Sequence, residues 1–269
     1  MKKILTILAF VLLVPLAVWA ANTHSTDLER DSGQYWSLAD GAGQGLDELG
    51  NFSMSFWVNV ETAPSSGQHF GLAGKDDGST QRAFVFYYRN DGGTLKILTH
   101  VFAGASANRV TNNYSVDLGT ATWKHIVITF DGAQSAAADK ILLYVDKTLT
   151  SALDANNFGT PPGTSGASSA DFAIGTGPED PTNTEWDGLR DEVLFYNSTL
   201  TQTDVNALFD DPCNPSTTNL VSRWAFDNDG TDSQGSNDLT NNNSATFSTT
   251  KAFTCAAGAG FNINQWIDF

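Results

Sequence analysis

Basic residues are scarce in this sequence. It contains 14 Lys and Arg residues against 30 Asp and Glu residues, which gives a formal net charge of −16 at pH 7. A chain this acidic repels phosphate backbones, so we expect no nucleic acid partner. The same surplus of carboxylates attracts divalent cations, so the composition is compatible with a metal cofactor.

Long apolar runs are also scarce. The one long run, residues 4–20, follows the basic start MKK and ends at the small residue Ala20. This arrangement is typical of a secretory signal peptide, here residues 1–20. No later segment reaches about 18 consecutive apolar residues, so we expect no transmembrane segment. No cysteine follows the cut site, which argues against a lipoprotein anchor. The protein is therefore expected to be secreted or displayed at the cell surface.

Only two cysteines are present, Cys213 and Cys255. In an exported chain, two cysteines favour a single disulfide. The alternative is two separate structural thiols. A disulfide between them would attach the C-terminal residues to the rest of the chain.

Motifs of several common catalytic sites are missing. The four histidines, His24, His69, His100 and His125, form no zinc-protease pattern, and no Gly-x-Ser-x-Gly elbow occurs. The stretch GLAGKDD has no Ser or Thr after its lysine, as a phosphate-binding loop requires. Because His125 lies among Val and Ile, we expect it to have a structural role.

The sequence does contain a series of short segments in which apolar residues alternate with polar ones. In FSMSFWVNV the residues on one face are Phe52, Met54, Phe56, Val58 and Val60. This period of two is typical of a half-buried strand. Similar segments recur, separated by turn sequences such as NDGG and DGAQ. They predict an all-β fold, a sandwich of two antiparallel sheets.

One short helix is predicted close to residues 201–209. Thr201 can cap its N-terminus, and Asp204 completes a capping box. Leu200 and Val205 are spaced as a hydrophobic staple across the cap. Pro212 then ends the helix, which we expect to lie on the surface of the sandwich.

Several segments, in order, resemble the laminin-G-like, concanavalin A-like jelly rolls, a group that includes the pentraxins. They are FSMSFWVNV, TATWKHIVITFDG, KILLYVDKTL, FAIGTG and WDGLRDEVLFYNSTLTQTDVNALF. The resemblance covers roughly Gln34 to Phe209. The resemblance implies a jelly-roll domain, which we place at residues 21–212.

The remaining segment, residues 213–269, departs from the family pattern. Its stretch Leu220–Asn242 is similar to the one that usually opens domains of this family, although here it follows the helix. The segment is too short for a second sandwich of ordinary size. We therefore expect a disulfide-pinned extension that completes the first sandwich. A truncated second module is the alternative.

The acid-rich stretch GTGPEDPTNTEWDGLRDE, residues 175–192, is the main candidate for a functional site. The resemblance to pentraxins implies six candidate calcium ligands: Glu179, Asp180, Glu185, Asp187, Asp76 and Asp77. The first two occupy the matching turn, the next two are alternatives for one position, and the last two lie in a neighbouring loop, several residues early. Calcium takes oxygen ligands from such loops, so we expect Ca²⁺ as the cofactor. The alternative is a solvated acidic loop.

The same stretch also contains candidate residues for catalysis and for stacking on a sugar. Glucanases of this fold carry three alternating carboxylates on one strand. Here Glu185 and Asp187 begin that pattern, but Leu189 occupies the third position, so we expect no enzyme. Trp186 is the aromatic residue predicted to be exposed for ligand binding, whereas Trp57 is expected in the core.

These features predict a secreted or cell-surface module that binds carbohydrate in a calcium-dependent manner, in adhesion or matrix attachment. Its partner would be a carbohydrate or a cell-surface glycoconjugate. The carbohydrate part follows from the resemblance, because fold alone does not define function. The alternative is a structural protein that assembles with copies of itself, and a glycoside hydrolase is disfavoured.

Overall fold

Two antiparallel sheets pack face to face in the computed structural model, which describes residues 22–250. The predicted jelly-roll sandwich is therefore confirmed. The predicted signal peptide, residues 1–20, lies outside the described residues and stays a prediction.

The first sheet has eight strands. Seven of them follow one another in the spatial order β15 (Thr246–Ser248), β1 (Ser25–Leu28), β12 (Gly188–Tyr196), β3 (Asn51–Val60), β7 (Trp123–Asp131), β8 (Ile141–Val145) and β9 (Thr148–Thr150). The eighth, β13 (Leu220–Trp224), pairs with β12 on the side that β1 also uses.

The second sheet has seven strands. Their spatial order is β10 (Asp154–Phe158), β6 (Thr94–Ser115), β5 (Arg82–Asp91), β4 (His69–Asp76), β11 (Phe172–Ile174), β2 (Tyr35–Leu38) and β14 (Thr240–Asn242). Within residues 22–250 the helical elements are a 3₁₀ turn (Arg30–Ser32), α1 (Ala137–Lys140) and α2 (Gln202–Asp210).

The core lies between the two sheets and is rich in aromatic rings. Alternate residues of each strand point into it, as the period of two predicts. Phe52 of β3 has no exposed surface, and its ring stacks on Phe195 at a centroid distance of 5.6 Å and contacts Phe84 at 5.0 Å. Full burial of one such side chain stabilises the fold by about 1.5–3 kcal/mol.

Helix α2 begins where the sequence predicts. Thr201 is its N-cap, and the capping box with Asp204 is formed in both directions. Leu200 and Val205 are both buried in a small apolar cluster beneath the helix. The staple therefore fixes the angle at which the chain enters the helix.

The residues after Cys213 contribute strands to both sheets. β13 pairs with β12 and β15 pairs with β1 in the first sheet, while β14 pairs with β2 in the second. Cys213 is 5% exposed, but Cys255 lies outside the described residues. The disulfide therefore stays a prediction.

A buried polar network joins the start of the described chain to the tail. The Asp191 carboxylate of β12 accepts hydrogen bonds from Asn22 Nδ2 and Ser25 Oγ, each 2.6 Å long. Glu192 forms a two-bond ion pair with Arg223 of β13, at 2.9 and 2.8 Å. Burial and the adjacent Glu192 carboxylate raise the pKa of Asp191, while the bonds from Ser25 and Asn22 lower it.

Candidate functional site

The acid-rich loop, residues 175–187, lies across β4 on the side facing away from the core. Its backbone comes so close that β4 has no room for side chains at two glycines. A Cβ on Gly71 would stand 2.0 Å from the carbonyl carbon of Thr176, and one on Gly74 would stand 2.8 Å from Cδ of Pro178. These glycines therefore allow the loop to rest directly on the sheet.

Glu179 projects from this loop towards β5. A Cβ on Gly177 would touch both Glu179 Oε2, at 3.0 Å, and the Tyr87 hydroxyl, at 2.5 Å, so those two groups are neighbours. Oε2 is buried and has no hydrogen-bond partner within residues 22–250. Burial raises the pKa of Glu179 to about 7, and the Asp76 carboxylate adds to the shift. A carboxyl group in this state can both donate and accept a hydrogen bond near neutral pH.

The other predicted ligands near Glu179 are already engaged. Asp76 is fully buried and pairs with Arg82 through two hydrogen bonds of 2.6 Å. Asp77 Oδ1 accepts two main-chain N–H groups of its own turn, at 2.8 and 2.9 Å. Asp180 Oδ1 accepts the Asn183 amide at 2.8 Å. The fold brings these carboxylates to one rim, but a cation there would have to displace a guanidinium from Asp76.

Glu185 and Trp186 occupy different positions from those expected. Trp186 has no exposed surface, so its predicted role in stacking on a ligand is wrong. Its ring packs against Phe70 at 6.1 Å and against the Arg190 guanidinium at 4.2 Å, because the side chain turns into the core just before β12 begins. Glu185 is 4% exposed, and burial raises its pKa while Arg30 lowers it.

Asp187 lies beside a group of carboxylates that the sequence analysis did not find. Its carbonyl accepts the main-chain N–H of Glu61 at 3.1 Å. Carboxylate oxygens of Asp27, Glu29 and Glu61 all lie within 4.8 Å of one another. Because β12 lies between β1 and β3, residues from two distant segments converge here. We call Asp27, Glu29 and Glu61 the strand-end triad. Its donor set fits a calcium ion.

The side of the second sheet that faces away from the core carries the other candidate site. We call it the outer face and define it by the outward side chains His69, Tyr87, Arg89, Lys96, Leu98, His100, Phe102, Arg109, Thr111, Asn113, Asn156 and Phe158. Strand register places them in rows: Val85 is opposite His100, Tyr87 opposite Leu98, and Arg89 opposite Lys96. The outer face therefore combines aromatic, basic and amide side chains, the mixture found in ligand sites.

The long strand β6 extends this face by doubling back. His100 Nδ1 lies 2.8 Å from Thr111 Oγ1, so the two arms of β6 run side by side. Strand β10 continues the row, with Asn156 opposite Thr111 and Phe158 opposite Arg109. Five neighbouring strand segments thus build one continuous surface.

Polar atoms on the outer face are left without partners. Arg89 Nε and Asn113 Oδ1 are buried and make no hydrogen bond within the described residues, and Glu179 Oε2 at the rim is in the same state. Buried polar groups in proteins are nearly always hydrogen-bonded. Such atoms also occur elsewhere in the described residues, so the accessible side chains of the outer face are what mark it as a candidate site.

The sequence signals for this face were present but not decisive. The alternation in RAFVFYYR shows that Val85, Tyr87 and Arg89 share one side of β5. Which side faces the core, and which strands lie alongside, depends on pairings that a single segment does not specify. His100 in particular meets Thr111 only because β6 doubles back.

His125 and an acidic run in the tail have structural roles. His125 is 1% exposed, and its Nε2 lies 2.8 Å from Ser55 Oγ, which confirms the expected structural role. In the acidic run Asp227–Asp232, Asp232 accepts main-chain N–H groups, including that of Arg223 at 2.9 Å. That run therefore shapes a turn.

A cavity of about 240 Å³ lies between α2 and the loop that follows it. Tyr196, Leu200 and Asp204 contribute to its wall. Ligand sites usually enclose 300–1,000 Å³, and the Tyr196 hydroxyl already bonds to the Ser216 carbonyl at 3.1 Å. The outer face is the stronger candidate.

Within residues 22–250 no helix has both the length and the hydropathy needed to cross a bilayer.

The jelly-roll topology, with acidic loops at the rim and polar side chains on one sheet, defines a lectin-like β-sandwich. A family model described as the concanavalin A-like lectin/glucanases superfamily, of the laminin G type, matches residues 30–206. This chain belongs to that family. No curated protein sequence gives a significant match.

Two solved structures show the same fold at low identity. A proposed carbohydrate binding protein from Bacteroides ovatus is 16% identical with a TM-score of 0.58, and the match covers 91% of this chain and 62% of that one. The heptameric SAP-like pentraxin of Limulus polyphemus is 12% identical with a TM-score of 0.55, covering 84% and 94%. The chain thus spans about 62% of the length of the Bacteroides protein. At such identities the likeness establishes the fold alone.

Proposed function

We propose that this protein binds carbohydrate and that the sugar lies on the outer face. The observation that carries the proposal is the combination of aromatic, basic and amide side chains on that face, with Asn156 exposed and His100 and Arg109 partly exposed. Sugar hydroxyls both donate and accept hydrogen bonds, so they can pair with the accessible polar atoms of these side chains. The half-buried His100 and the 37% exposed Phe158 offer flat surfaces for the apolar side of a sugar ring.

The fold-level likeness to a proposed carbohydrate binding protein agrees with this proposal. Binding without hydrolysis is the form that we propose. Glu185 is 4% exposed, and Leu189 stands where the third carboxylate of a glucanase would be.

The test compares two neighbouring asparagines of β10. Asn156 is opposite Thr111 on the outer face, whereas Asn157 is opposite Val110 and bonds to the Ser135 carbonyl. We expect a glycan array to identify ligands. In calorimetric titration Asn156→Ala should then reduce the affinity for such a ligand about tenfold, which corresponds to the loss of one hydrogen bond. Asn157→Ala is the matched control and should leave affinity unchanged.

Two results would contradict the proposal. The first is an array on which no glycan binds. The second is equal loss of affinity in both asparagine variants, which would show that the outer face is not the binding surface.

We also propose that calcium supports the fold at the strand-end triad rather than at Glu179. Oxygen atoms of three carboxylates lie within 4.8 Å of one another there, a separation that ligands of one bound calcium ion can adopt. When bound, calcium would supply positive charge that holds the ends of β1 and β3 against β12. Asp27, Glu29 and Glu61 would provide oxygen ligands.

Export, and a role in adhesion or matrix attachment, are part of the same proposal. The support for export is the leader-like stretch of residues 1–20. Self-assembly is the second candidate function, because Leu149 at 50% and Leu153 at 57% are exposed beside the outermost strands β9 and β10. Concentration-dependent oligomers, with no glycan bound on the array, would favour this second candidate.

A further inference from the structure

Accessible positive charge is concentrated on the outer face. Of the eleven Lys and Arg residues between positions 22 and 250, four are buried in the fold: Lys75, Lys140, Arg190 and Arg223. Of the other seven, four belong to β5 and β6: Arg89, Lys96 and Arg109 of the outer face, and Arg82, whose guanidinium lies over the outer-face ring of Phe102 at 4.0 Å. Among the described residues of this acidic chain, most of the accessible cations thus lie on one surface.

These cations have few carboxylate partners. Asp91 is shared between Arg89 and Lys96, with both contacts at 2.9 Å. Arg82 is neutralised by Asp76. Arg109 has no carboxylate within ion-pair distance among residues 22–250. The face therefore keeps an excess of positive charge centred near Arg109.

The Arg109 guanidinium is held in place by neutral groups. Its Nη1 donates to the Ser106 carbonyl at 2.5 Å, and its Nε donates to Thr111 Oγ1 at 3.3 Å. The plane stacks over the Phe158 ring at 4.1 Å. Nη2 donates to no acceptor in the described part of the chain. A fixed, half-buried guanidinium with a spare donor is arranged to receive an anion.

His100, at the centre of the face, lies among basic side chains. Burial is the main cause that lowers the pKa of His100 to about 3, and the next causes are the charges of Arg109, Arg82 and Arg89. Asp154, at the start of β10, lies opposite Asn113, four residues along β6 from Arg109, and Glu179 lies in the acid-rich loop.

We infer that the saccharide bound on the outer face carries a carboxylate and that Arg109 binds this carboxylate. The inference rests on the proposed function, since it names the class of sugar for the same site. Guanidinium and carboxylate groups match in shape as well as charge, which makes their hydrogen bonds stronger than those between neutral groups. A neutral sugar would leave the excess charge on this face uncompensated.

The experiment uses ligand pairs that differ only in charge. Galacturonic acid oligomers are compared with their methyl esters, and sialylated lactose is compared with lactose, each by calorimetric titration against the full mature protein. In at least one pair we expect the carboxylated member to bind ten- to a hundredfold more tightly, as a charge-assisted hydrogen bond predicts. A sulfated oligosaccharide serves as a test of charge without carboxylate shape.

Variants of Arg109 then test whether this residue contacts the carboxylate of the ligand. Arg109→Ala should remove the preference for the carboxylated member, and Arg109→Lys should restore part of it, because lysine keeps the charge but lacks the planar fork. Arg30→Ala is the matched control, an accessible arginine outside the outer face, and should keep the full preference. Thermal unfolding of each variant shows whether the fold is retained.

The outcomes separate the two proposals. Equal affinity for charged and neutral members, with Asn156→Ala still weakening both, would overturn the carboxylate inference and leave the proposed function standing. A preference for the sulfated sugar over both carboxylated ones would also overturn it. Binding of no saccharide would overturn both proposals.

Discussion

His125 shows how one buried side chain can set the response of the fold to acid. Its ring stacks on Trp57 at 4.9 Å, and burial lowers its pKa from 6.5 to about 3. The unfolded chain therefore binds a proton at higher pH than the folded chain does. Stability is retained above pH 6.5 and lost as the pH falls from there towards 3.

Replacement of His125 should reduce the loss of folding stability at acidic pH. Between pH 6 and pH 4 one such group contributes about 1.4 kcal/mol per pH unit to the slope of unfolding free energy. His125→Gln should remove that contribution, although His100 adds a similar one. Urea unfolding at several pH values measures the slope, and His24→Gln, a half-buried histidine elsewhere, is the control. An unchanged slope in His125→Gln would contradict the prediction.

At the scale of elements, the position of the acid-rich loop depends on β4. Gly71→Ala would place a Cβ 2.0 Å from the backbone of Thr176, so the loop would have to move away from the sheet. We expect a loss of about 1–3 kcal/mol in unfolding free energy, as for other overpacked sites. Gly163→Ala is a suitable control, because a Cβ there meets nothing within 4 Å. Equal stability of the two variants in urea unfolding would contradict this account.

The elements also show what a single sequence can predict. The sequence predicts strand β3 from the alternation that begins at Phe52, and it predicts the start of α2 from the cap at Thr201. Both predictions succeed because periodicity and capping act within a few residues. The burial of Trp186 does not follow from its neighbours in sequence, because the direction of its side chain depends on how the loop closes against the core. The strand-end triad joins residues 27, 29 and 61, and only the pairing of β12 with both neighbours brings them together.

At the scale of the whole molecule, calcium should stabilise the sandwich. A single ion bound to the folded state raises the unfolding free energy by about 2.7 kcal/mol at a hundredfold excess over its Kd. We expect the melting temperature to be higher in millimolar calcium than in chelator, and Glu61→Gln to abolish the difference. Glu179→Gln should preserve it. If Glu179→Gln abolishes the calcium effect on the melting temperature and Glu61→Gln does not, the ion binds at the acid-rich loop instead. If calcium does not change the melting temperature of the native protein, the proposal of a calcium site is wrong.

The pairing of β1 with β15 has a topological consequence. Ser25 lies opposite Ser248, so the first and last described strands are neighbours in one sheet. The two ends of the described chain are thus adjacent in the first sheet. A chain that began at Pro215, ran through Ser248 and continued into Ser25 would visit the same strands in the same cyclic order. In such a permuted chain the stretch Leu220–Asn242 would come first, and each strand would keep the neighbours that it has here.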